Sequence, residues 1–376
     1  MHSGRARLLC LLTLVLLTAC SGTPKPKPGP LEPLVPQIGG RMVWSARVDS
    51  VQFPLLVSVT GAAGAGVFTV GGTDGTVLAL QAETGAELWR ANVGAKLSAG
   101  VGSDGRYVAV VTRDNELVTL EAGRVIWRQR LGARVATAPL VAGERVFVMS
   151  VDRVVQAFDA KEGFKLWTLQ RPGEPLTLSQ AGVVVAFKDT LLVGQGARLV
   201  GVDPMRGTVR WEVAIATPRG TNEVERLADL LAPAVRVGDM VCARAFQNAV
   251  GCADATRGTL AWTRNVGGNE GIGADEQYVV GADGSDRITA WRTGNGDVAW
   301  TSEKLLNRDL SPPLLVGSTV VFGDLEGNVH ILSREDGRTL LRLTTDGSPV
   351  AAAPVRSGKT MLVVTRTGGL FAYRPE

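Results

Sequence analysis

Residues 66–92 read GVFTVGG, TDG, TVLAL, QAETG and AELWRAN, and this stretch contains the unit from which most of the chain is built. Three short runs rich in strand-forming residues are separated by clusters of turn residues, which is the pattern of successive β-hairpins. Asp74-Gly75 suits a tight hairpin turn, and Gly85 supplies a residue that tolerates positive φ in the next turn. The stretch predicts three antiparallel strands, of which the last carries Trp89.

The same unit recurs eight times. A glycine is followed four residues later by a large apolar residue, and the mean spacing is about 42 residues, the period of four-stranded propeller blades. A large flat side chain near the end of each outer strand is expected to pack against the adjoining blade. The glycines are Gly40, Gly85, Gly123, Gly163, Gly207, Gly258, Gly296 and Gly337, and the predicted docking residues are Trp44, Trp89, Trp127, Trp167, Trp211, Trp262, Trp300 and Leu341.

The two ends of the repeat are complementary. The chain begins with a lone tryptophan strand, Arg41–Val48, and ends with three strands that lack this member, Val350–Arg356, Thr360–Val364 and Gly369–Tyr373. Pairing the first strand with the last completes an eighth blade and hides the exposed sheet edges. The predicted fold is therefore all-β, an eight-bladed β-propeller of four-stranded antiparallel blades over residues 38–376, closed by the N-terminal strand.

The N-terminus carries a targeting pattern. Two arginines precede the apolar run Leu8–Leu17, which is too short to cross a bilayer but suits the core of a signal peptide. The run ends in LTAC at positions 17–20, which resembles a bacterial lipobox and predicts a signal peptide at residues 1–19 and lipidation of Cys20. An ordinary secretory signal is the alternative. Proline-rich residues 20–37 are predicted to form an extended tether.

Charge and cysteine content restrict the partners and the compartment. Lys and Arg number 40 and Asp and Glu number 36, without a dense basic stripe, which argues against nucleic acid as a partner. Cys242 and Cys252 are ten residues apart on two strands that are predicted to pair. They could form a disulfide in an oxidising periplasm, while two buried thiols out of register are the open alternative.

The phrase Ala157-x-Asp159-x-x-x-Gly163-x-x-x-Trp167 resembles the tryptophan-docking repeat of quinoprotein-like eight-bladed propellers, and the resemblance covers residues 40–374. Two branches of that superfamily compete. One consists of quinone-dependent dehydrogenases, which carry long cofactor-binding insertions and often adjacent cysteines that are missing here. The other is the BamB family of outer-membrane lipoproteins.

Few residues suggest catalysis. The one histidine after the signal, His330, lies on a predicted strand and is interpreted as a packed or channel-facing residue rather than a base. The acidic residues lie mostly at turn positions, and no phosphate loop, catalytic triad or metal cluster is visible. We therefore predict a non-enzymatic protein without a catalytic residue, metal or cofactor.

The resemblance to the BamB family also accounts for the longest interval of the repeat. Trp211 and Trp262 are 51 residues apart, and the excess lies in residues 216–231. Within it, residues 221–229 resemble the loop by which BamB proteins engage the periplasmic POTRA region of BamA. Leu176-Thr177-Leu178-Ser179 resembles a second contact segment of the family. The contacts implied by resemblance are Leu176, Leu178, Val224, Arg226, Leu227 and Asp229.

Two positions depart from the family pattern, since Ser179 and Leu231 stand where an arginine and an acid are usual. Asn222-x-x-Glu225 can cap a short helical turn, and Val224, Leu227 and Leu231 are spaced to form one apolar face. A surface insertion whose leucines merely cover a blade end is the alternative interpretation of this loop.

The resemblance implies a scaffold that is lipid-anchored at the periplasmic face of the outer membrane. It would bind the POTRA domains of BamA and assist the folding and insertion of outer-membrane proteins, with nascent β-barrel proteins as further partners. An aspartate directly after the lipidated cysteine resembles an inner-membrane retention signal. This chain has Ser21 at that position, which is compatible with the outer membrane. The alternatives are a periplasmic quinoprotein-type oxidoreductase, a ligand-binding propeller, or a scaffold of another envelope complex.

Overall fold

A computed structural model describes residues 26–53, 55–61, 66–171, 176–218 and 220–376. These residues form 32 strands in eight four-stranded antiparallel sheets, so the predicted eight-bladed propeller is confirmed. The predicted signal peptide and Cys20 lie outside the described residues. Within the described ranges, no helix is long and apolar enough to cross a membrane.

The blades follow one another along the chain. The first strand, β1 (Arg41–Arg47), belongs to the last blade. Blade 1 is β2 (Ser58–Thr60), β3 (Val67–Gly71), β4 (Thr76–Gln81) and β5 (Glu87–Asn92); blade 2 is β6 (Leu97–Ser103), β7 (Tyr107–Thr112), β8 (Glu116–Glu121) and β9 (Arg124–Arg130); blade 3 is β10 (Leu140–Ala142), β11 (Arg145–Met149), β12 (Val155–Asp159) and β13 (Lys165–Leu169); blade 4 is β14 (Val184–Phe187), β15 (Thr190–Gln195), β16 (Arg198–Val202) and β17 (Val209–Ala214).

The second half of the ring repeats this order. Blade 5 is β18 (Leu230–Val237), β19 (Met240–Ala245), β20 (Ala249–Asp254) and β21 (Thr259–Arg264); blade 6 is β22 (Gly273–Ala274), β23 (Tyr278–Ala282), β24 (Ile288–Arg292) and β25 (Val298–Ser302); blade 7 is β26 (Leu314–Val316), β27 (Thr319–Gly323), β28 (Asn328–Ser333) and β29 (Thr339–Thr344); blade 8 is β30 (Val355–Ser357), β31 (Thr360–Val364), β32 (Gly369–Arg374) and β1.

The ring closes as the ends of the repeat predict. β1 pairs with β32 in an antiparallel register that places Arg47 opposite Gly369 and Arg41 opposite Arg374. The innermost strand of this blade is shorter than expected, because β30 begins only at Val355 and Val350 makes an isolated bridge. Pro354 precedes β30 and has no N–H to donate to a neighbouring strand, which explains the later start.

The repeated glycine and the repeated tryptophan meet across the boundary between two blades. A Cβ atom on Gly163, whose φ is +78°, would lie 2.6 Å from Cδ2 of Trp127 in the preceding blade. The indole N–H of Trp127 also donates to the carbonyl of Ala160, at 2.8 Å. The same contact recurs around the ring in the pairs Trp44–Gly85, Trp89–Gly123, Trp167–Gly207, Trp211–Gly258, Trp262–Gly296, Trp300–Gly337 and, at the closure, Leu341–Gly40.

The two cysteines of blade 5 lie directly opposite each other. The register pairs Cys242 on β19 with Cys252 on β20, with Cα atoms 4.0 Å apart, and the two residues form a disulfide. Both are fully buried in an apolar cluster that also contains Trp262 and Trp291. The disulfide therefore joins two central strands of one blade, where it is shielded from solvent.

The strand order defines two faces of the ring. The linker face carries the connections between consecutive blades and the turns between second and third strands. The opposite face carries the remaining turns. At the linker face a central cavity of about 660 Å³ is lined by connections from several blades, including Gln52, Gln180, Leu231, Glu270 and Pro349.

Candidate functional site

The two segments that resemble partner contacts lie side by side on the linker face. Residues 176–179 belong to the connection between blades 3 and 4, and residues 220–229 to the connection between blades 4 and 5. Asp229 joins them, because its Oδ2 accepts a hydrogen bond from the backbone N–H of Leu178 at 2.9 Å. Two segments about fifty residues apart in sequence therefore form one surface.

Arg153, in the turn between β11 and β12, extends this link to blade 3. Its Nη2 donates to Oδ1 of Asp229 at 2.9 Å and to the carbonyl oxygen of Leu176 at 3.4 Å. The side chains of Arg153 and Asp229 are only 14% and 17% exposed. A charged hydrogen bond that is largely shielded from water is stronger than a surface ion pair, so it can hold both segments in place.

The connection between blades 4 and 5 contains one tight turn. The side chain of Asn222 accepts the N–H of Glu225 at 2.9 Å and donates to Oε1 of Glu225, also at 2.9 Å. The backbone N–H of Thr221 donates to Oε2 of Glu225 at 2.8 Å, and this bond is the main reason that the pKa of Glu225 is lowered. The predicted reciprocal contact is present, and it caps a single helical turn in which the N–H of Arg226 donates to the carbonyl of Asn222 at 3.2 Å.

The predicted apolar face of Val224, Leu227 and Leu231 is wrong. Val224 is 68% exposed, Leu227 is half-buried, and Leu231 is buried in β18, where it pairs with Arg244. The helical spacing of three and four residues does not apply here, because the chain leaves the turn after Arg226 and becomes extended. Leu231, at the position where the family pattern has an acid, instead lines the central cavity.

The predicted contact residues therefore differ in accessibility. Val224 and Leu176 expose apolar surface, while Leu178, Arg226 and Leu227 are half-buried around them. Asp229 uses both carboxylate oxygens for hydrogen bonds within the chain. Ser179, the other departure from the family pattern, is exposed, and its hydroxyl accepts a hydrogen bond from Nη1 of Arg134 at 3.3 Å.

Sequence reasoning missed Arg153. Nothing in its local sequence marks it, because its partner Asp229 is 76 positions away and is brought near only by the stacking of blades 3, 4 and 5. It also missed the cavity residue Glu270. The surrounding protein displaces water from the Glu270 carboxyl and raises its pKa to about 7, with Asp309 adding to the rise.

His330 is a packed residue of blade 7. It is fully buried, and its Nε2 lies 2.9 Å from Oδ2 of Asp324. Burial lowers the pKa of His330, although the neighbouring carboxylate opposes this shift. Among the residues that the structure describes, no three His, Cys, Asp or Glu side chains are grouped in a way that could hold a metal ion.

Comparison with known proteins distinguishes between the two branches of the superfamily. The family model described as outer membrane protein assembly factor BamB matches residues 73–302. The outer membrane protein assembly factor BamB of Burkholderia pseudomallei is 36% identical over 376 residues, which cover 99% of this chain and 98% of the relative.

Solved structures agree on the fold. The crystal structure of BamB from Moraxella catarrhalis has a TM-score of 0.80 at 20% identity, over 89% of this chain and 99% of that one. Quinohemoprotein alcohol dehydrogenase from Comamonas testosteroni has a TM-score of 0.67 at 15% identity, over 90% and 78% of the two chains. At these identities the likeness establishes the propeller alone, whereas the sequence matches identify the branch. The chain belongs to the BamB family of outer membrane protein assembly factors.

Proposed function

We propose that the chain is a non-enzymatic scaffold of the machinery that assembles outer-membrane proteins. It is held at the periplasmic face of the outer membrane by a lipid on Cys20 and binds the POTRA region of BamA. The names of its relatives support the assembly role, and the lipobox supports the anchor. Exposed apolar residues on outer strands, such as Leu88 and Leu260, offer edges to which nascent β-rich proteins could add a strand.

The observation that carries the proposed binding site is the pair of hydrogen bonds that Asp229 makes to Leu178 and Arg153. They bring the exposed side chains of Leu176 and Val224 onto one ordered surface. Apolar anchors surrounded by polar and charged groups are what a specific protein interface uses. In this arrangement Val224, Leu176, Leu178, Leu227 and Arg226 contact the partner.

Asp229 acts through the other residues. Its oxygens are occupied by Leu178 N–H and Arg153, so replacing it disorders both segments instead of removing a direct contact. We expect Asp229→Ala to increase hydrogen exchange at the amide of Leu178 as well as to weaken binding. A residue that only touched the partner would leave that exchange rate unchanged.

The binding test uses the full chain and the POTRA region of BamA from the same organism, with affinities measured by calorimetry. Val224→Ala is expected to weaken binding about tenfold, since an interface anchor contributes more than 1 kcal/mol. Val298→Ala is the matched control, because Val298 is also an exposed valine but lies on the outer strand of blade 6.

Two outcomes would contradict the proposal. If the unaltered chain does not bind the POTRA region, the partner is wrong. If it binds and Val224→Ala, Leu176→Ala and Asp229→Ala all bind equally well, the partner stands but the surface lies elsewhere. The anchor is tested separately with Cys20→Ser, which should move the chain from the membrane fraction to the soluble periplasmic fraction.

A further inference from the structure

Part of the predicted tether lies against the propeller. Residues 29–37, which we call the strap, contact blade 7 along its outer edge. The N–H of Gly29 donates to the carbonyl of Leu306 at 2.9 Å, in the connection between blades 6 and 7 on the linker face. At the other end, the N–H of Gln37 donates to the carbonyl of Leu340 on β29 at 2.8 Å. The strap thus runs from the linker face toward the opposite face.

A buried arginine holds the first residue of the strap. Arg308 is 2% exposed, and its Nη1 donates to the carbonyl oxygen of Gly29 at 2.7 Å. Its Nε donates to Oδ2 of Asp324 at 2.8 Å, and its Nη2 donates to Glu326. A buried arginine requires partners for its charge and its donors, so the strap carbonyl completes the coordination of this guanidinium.

Asp324 keeps its negative charge at this site. Burial alone would raise its pKa, but hydrogen bonds from His330 and Asn328 hold the pKa of Asp324 well below its ordinary value. The ionised carboxylate faces Arg308, and Asp324 is itself fully buried. The pair therefore fixes the guanidinium in one position, from which Nη1 reaches Gly29.

The backbone bends on both sides of Arg308. Asn307 and Asp309 on either side both have positive φ, at 56° and 53°. Asn and Asp adopt this left-handed conformation more readily than other non-glycine residues, so the sequence suits a sharp bend on each side of Arg308. The carboxylate of Asp286 accepts the N–H groups of Asp309 at 2.7 Å and Leu310 at 3.2 Å, which holds this bend.

Side chains attach the rest of the strap. Leu31 packs against the apolar cluster that contains Leu305, Leu310 and Trp300. Glu32 pairs with Lys304 at 3.2 Å, and its carbonyl accepts two long hydrogen bonds from Arg342. The burial of Leu31 contributes most of this attachment, because exposed ion pairs contribute little.

We propose that the strap fixes the point at which the lipid-anchored N-terminus leaves the propeller, so that the linker face is turned toward the membrane. From Gly29 to Cys20 there are nine residues, which span at most about 30 Å. Without the strap the chain would leave from Arg41, which lies at the opposite face, paired with Arg374. This inference rests on the proposed lipid anchor. It places a partner bound at Leu176 and Val224 on the membrane side of the ring.

The test measures energy transfer from the lipidated full chain to an acceptor lipid in liposomes. Donor dyes are attached to Glu223→Cys on the linker face or to Lys161→Cys in the turn between β12 and β13 on the opposite face. Only these thiols are expected to react, because the sulfur of Cys20 would carry the diacylglyceryl group and Cys242 and Cys252 form a buried disulfide. We expect at least twofold more transfer from position 223 than from position 161.

The substitutions that release the strap lie only in the strap itself, so the core of the propeller is not altered. Leu31→Asp combined with Gly29→Pro places a charge against the apolar cluster and removes the N–H that donates to Leu306. This variant should lose the difference between the two labels and increase hydrogen exchange at the amide of Gln37, which donates to Leu340 in the unaltered chain. Val35→Asp is the control, because Val35 is in the same segment but 78% exposed, and both measurements should stay unchanged.

Equal transfer from the two labels in the unaltered chain would overturn the proposal. The proposal would also be overturned if the released variant kept the difference in energy transfer between the two labels, or if its hydrogen exchange in the strap did not increase. If the unaltered chain does not float with liposomes, the lipid anchor of the proposed function is refuted together with the membrane orientation. Hydrogen exchange at the amides of Gly29 and Gln37 in the same preparation then still decides whether the strap is held.

Discussion

Replacement of Gly163 by alanine tests the contact that repeats around the ring. Gly163 has φ +78°, and an added Cβ would lie 2.6 Å from the ring of Trp127. The left-handed conformation costs about 1–2 kcal/mol for alanine, and overpacking costs about 1–3 kcal/mol more. Displacing Trp127 also weakens its hydrogen bond to Ala160. We expect Gly163→Ala to lower the free energy of unfolding by about 2–5 kcal/mol.

The matched control is Gly143→Ala in the same blade. Gly143 also has positive φ, at 57°, but no atom lies within 4 Å of the position of its Cβ. This substitution should cost only the conformational term, about 1–2 kcal/mol. Urea unfolding followed by far-ultraviolet circular dichroism gives both values on the same scale.

A double-mutant cycle identifies the cause. In a Trp127→Ala background the added methyl group has no ring to displace, so Gly163→Ala should cost no more than Gly143→Ala does. If Gly163→Ala and Gly143→Ala destabilise equally in the unaltered chain, the contact between glycine and tryptophan is not the reason for the repeat. The same conclusion follows if the cost of Gly163→Ala does not change when Trp127 is truncated.

Three further predictions concern the disulfide and two carboxyl groups. Removing the disulfide with Cys242→Ala and Cys252→Ala should cost roughly 3 kcal/mol in urea unfolding, since the bond closes a short loop in the unfolded chain. Asp324→Asn should lower the free energy of unfolding by about 3 kcal/mol at pH 7, the lower end of the range for breaking a buried ion pair, because Arg308 keeps its more exposed partner Glu326. Because folding lowers the pKa of Asp324, its carboxylate stabilises the folded state fully above the unfolded pKa near 4, and this stabilisation is lost as the pH falls below 4. The difference in the free energy of unfolding between the unaltered chain and Asp324→Asn should therefore narrow in acid. The pKa of Glu270 is raised from 4.5 to about 7, so its carboxyl favours the folded state below pH 4.5, and this contribution is lost as the pH rises through 7. Glu270→Gln should therefore raise the thermal midpoint at pH 8 relative to the unaltered chain and leave it equal at pH 4, and equal midpoints at pH 8 would contradict this.

The parts of the fold that could be predicted are those that local sequence encodes. Hairpin turns and strand runs follow from glycine, aspartate and β-branched residues within a single repeat, and the period counts the blades. The incomplete units at the two ends predict the pairing of β1 with β32, which is present. The prediction of one apolar face for Val224, Leu227 and Leu231 is wrong, because it applies helical spacing to a segment that becomes a strand.

The number of blades, the closure of the ring and the branch of the superfamily can all be read from the sequence, because each depends on a motif that repeats at short range or on overall similarity. The folded ring alone shows what the repeated spacing does, because each glycine of the repeat packs under the tryptophan, or in one case the leucine, of the preceding blade. It also decided that Asp229 is held by Arg153, and that Arg308 binds the carbonyl of Gly29, 279 positions away. These contacts join connections from different blades, whose proximity is set by the geometry of the closed ring and leaves no local signal in the sequence.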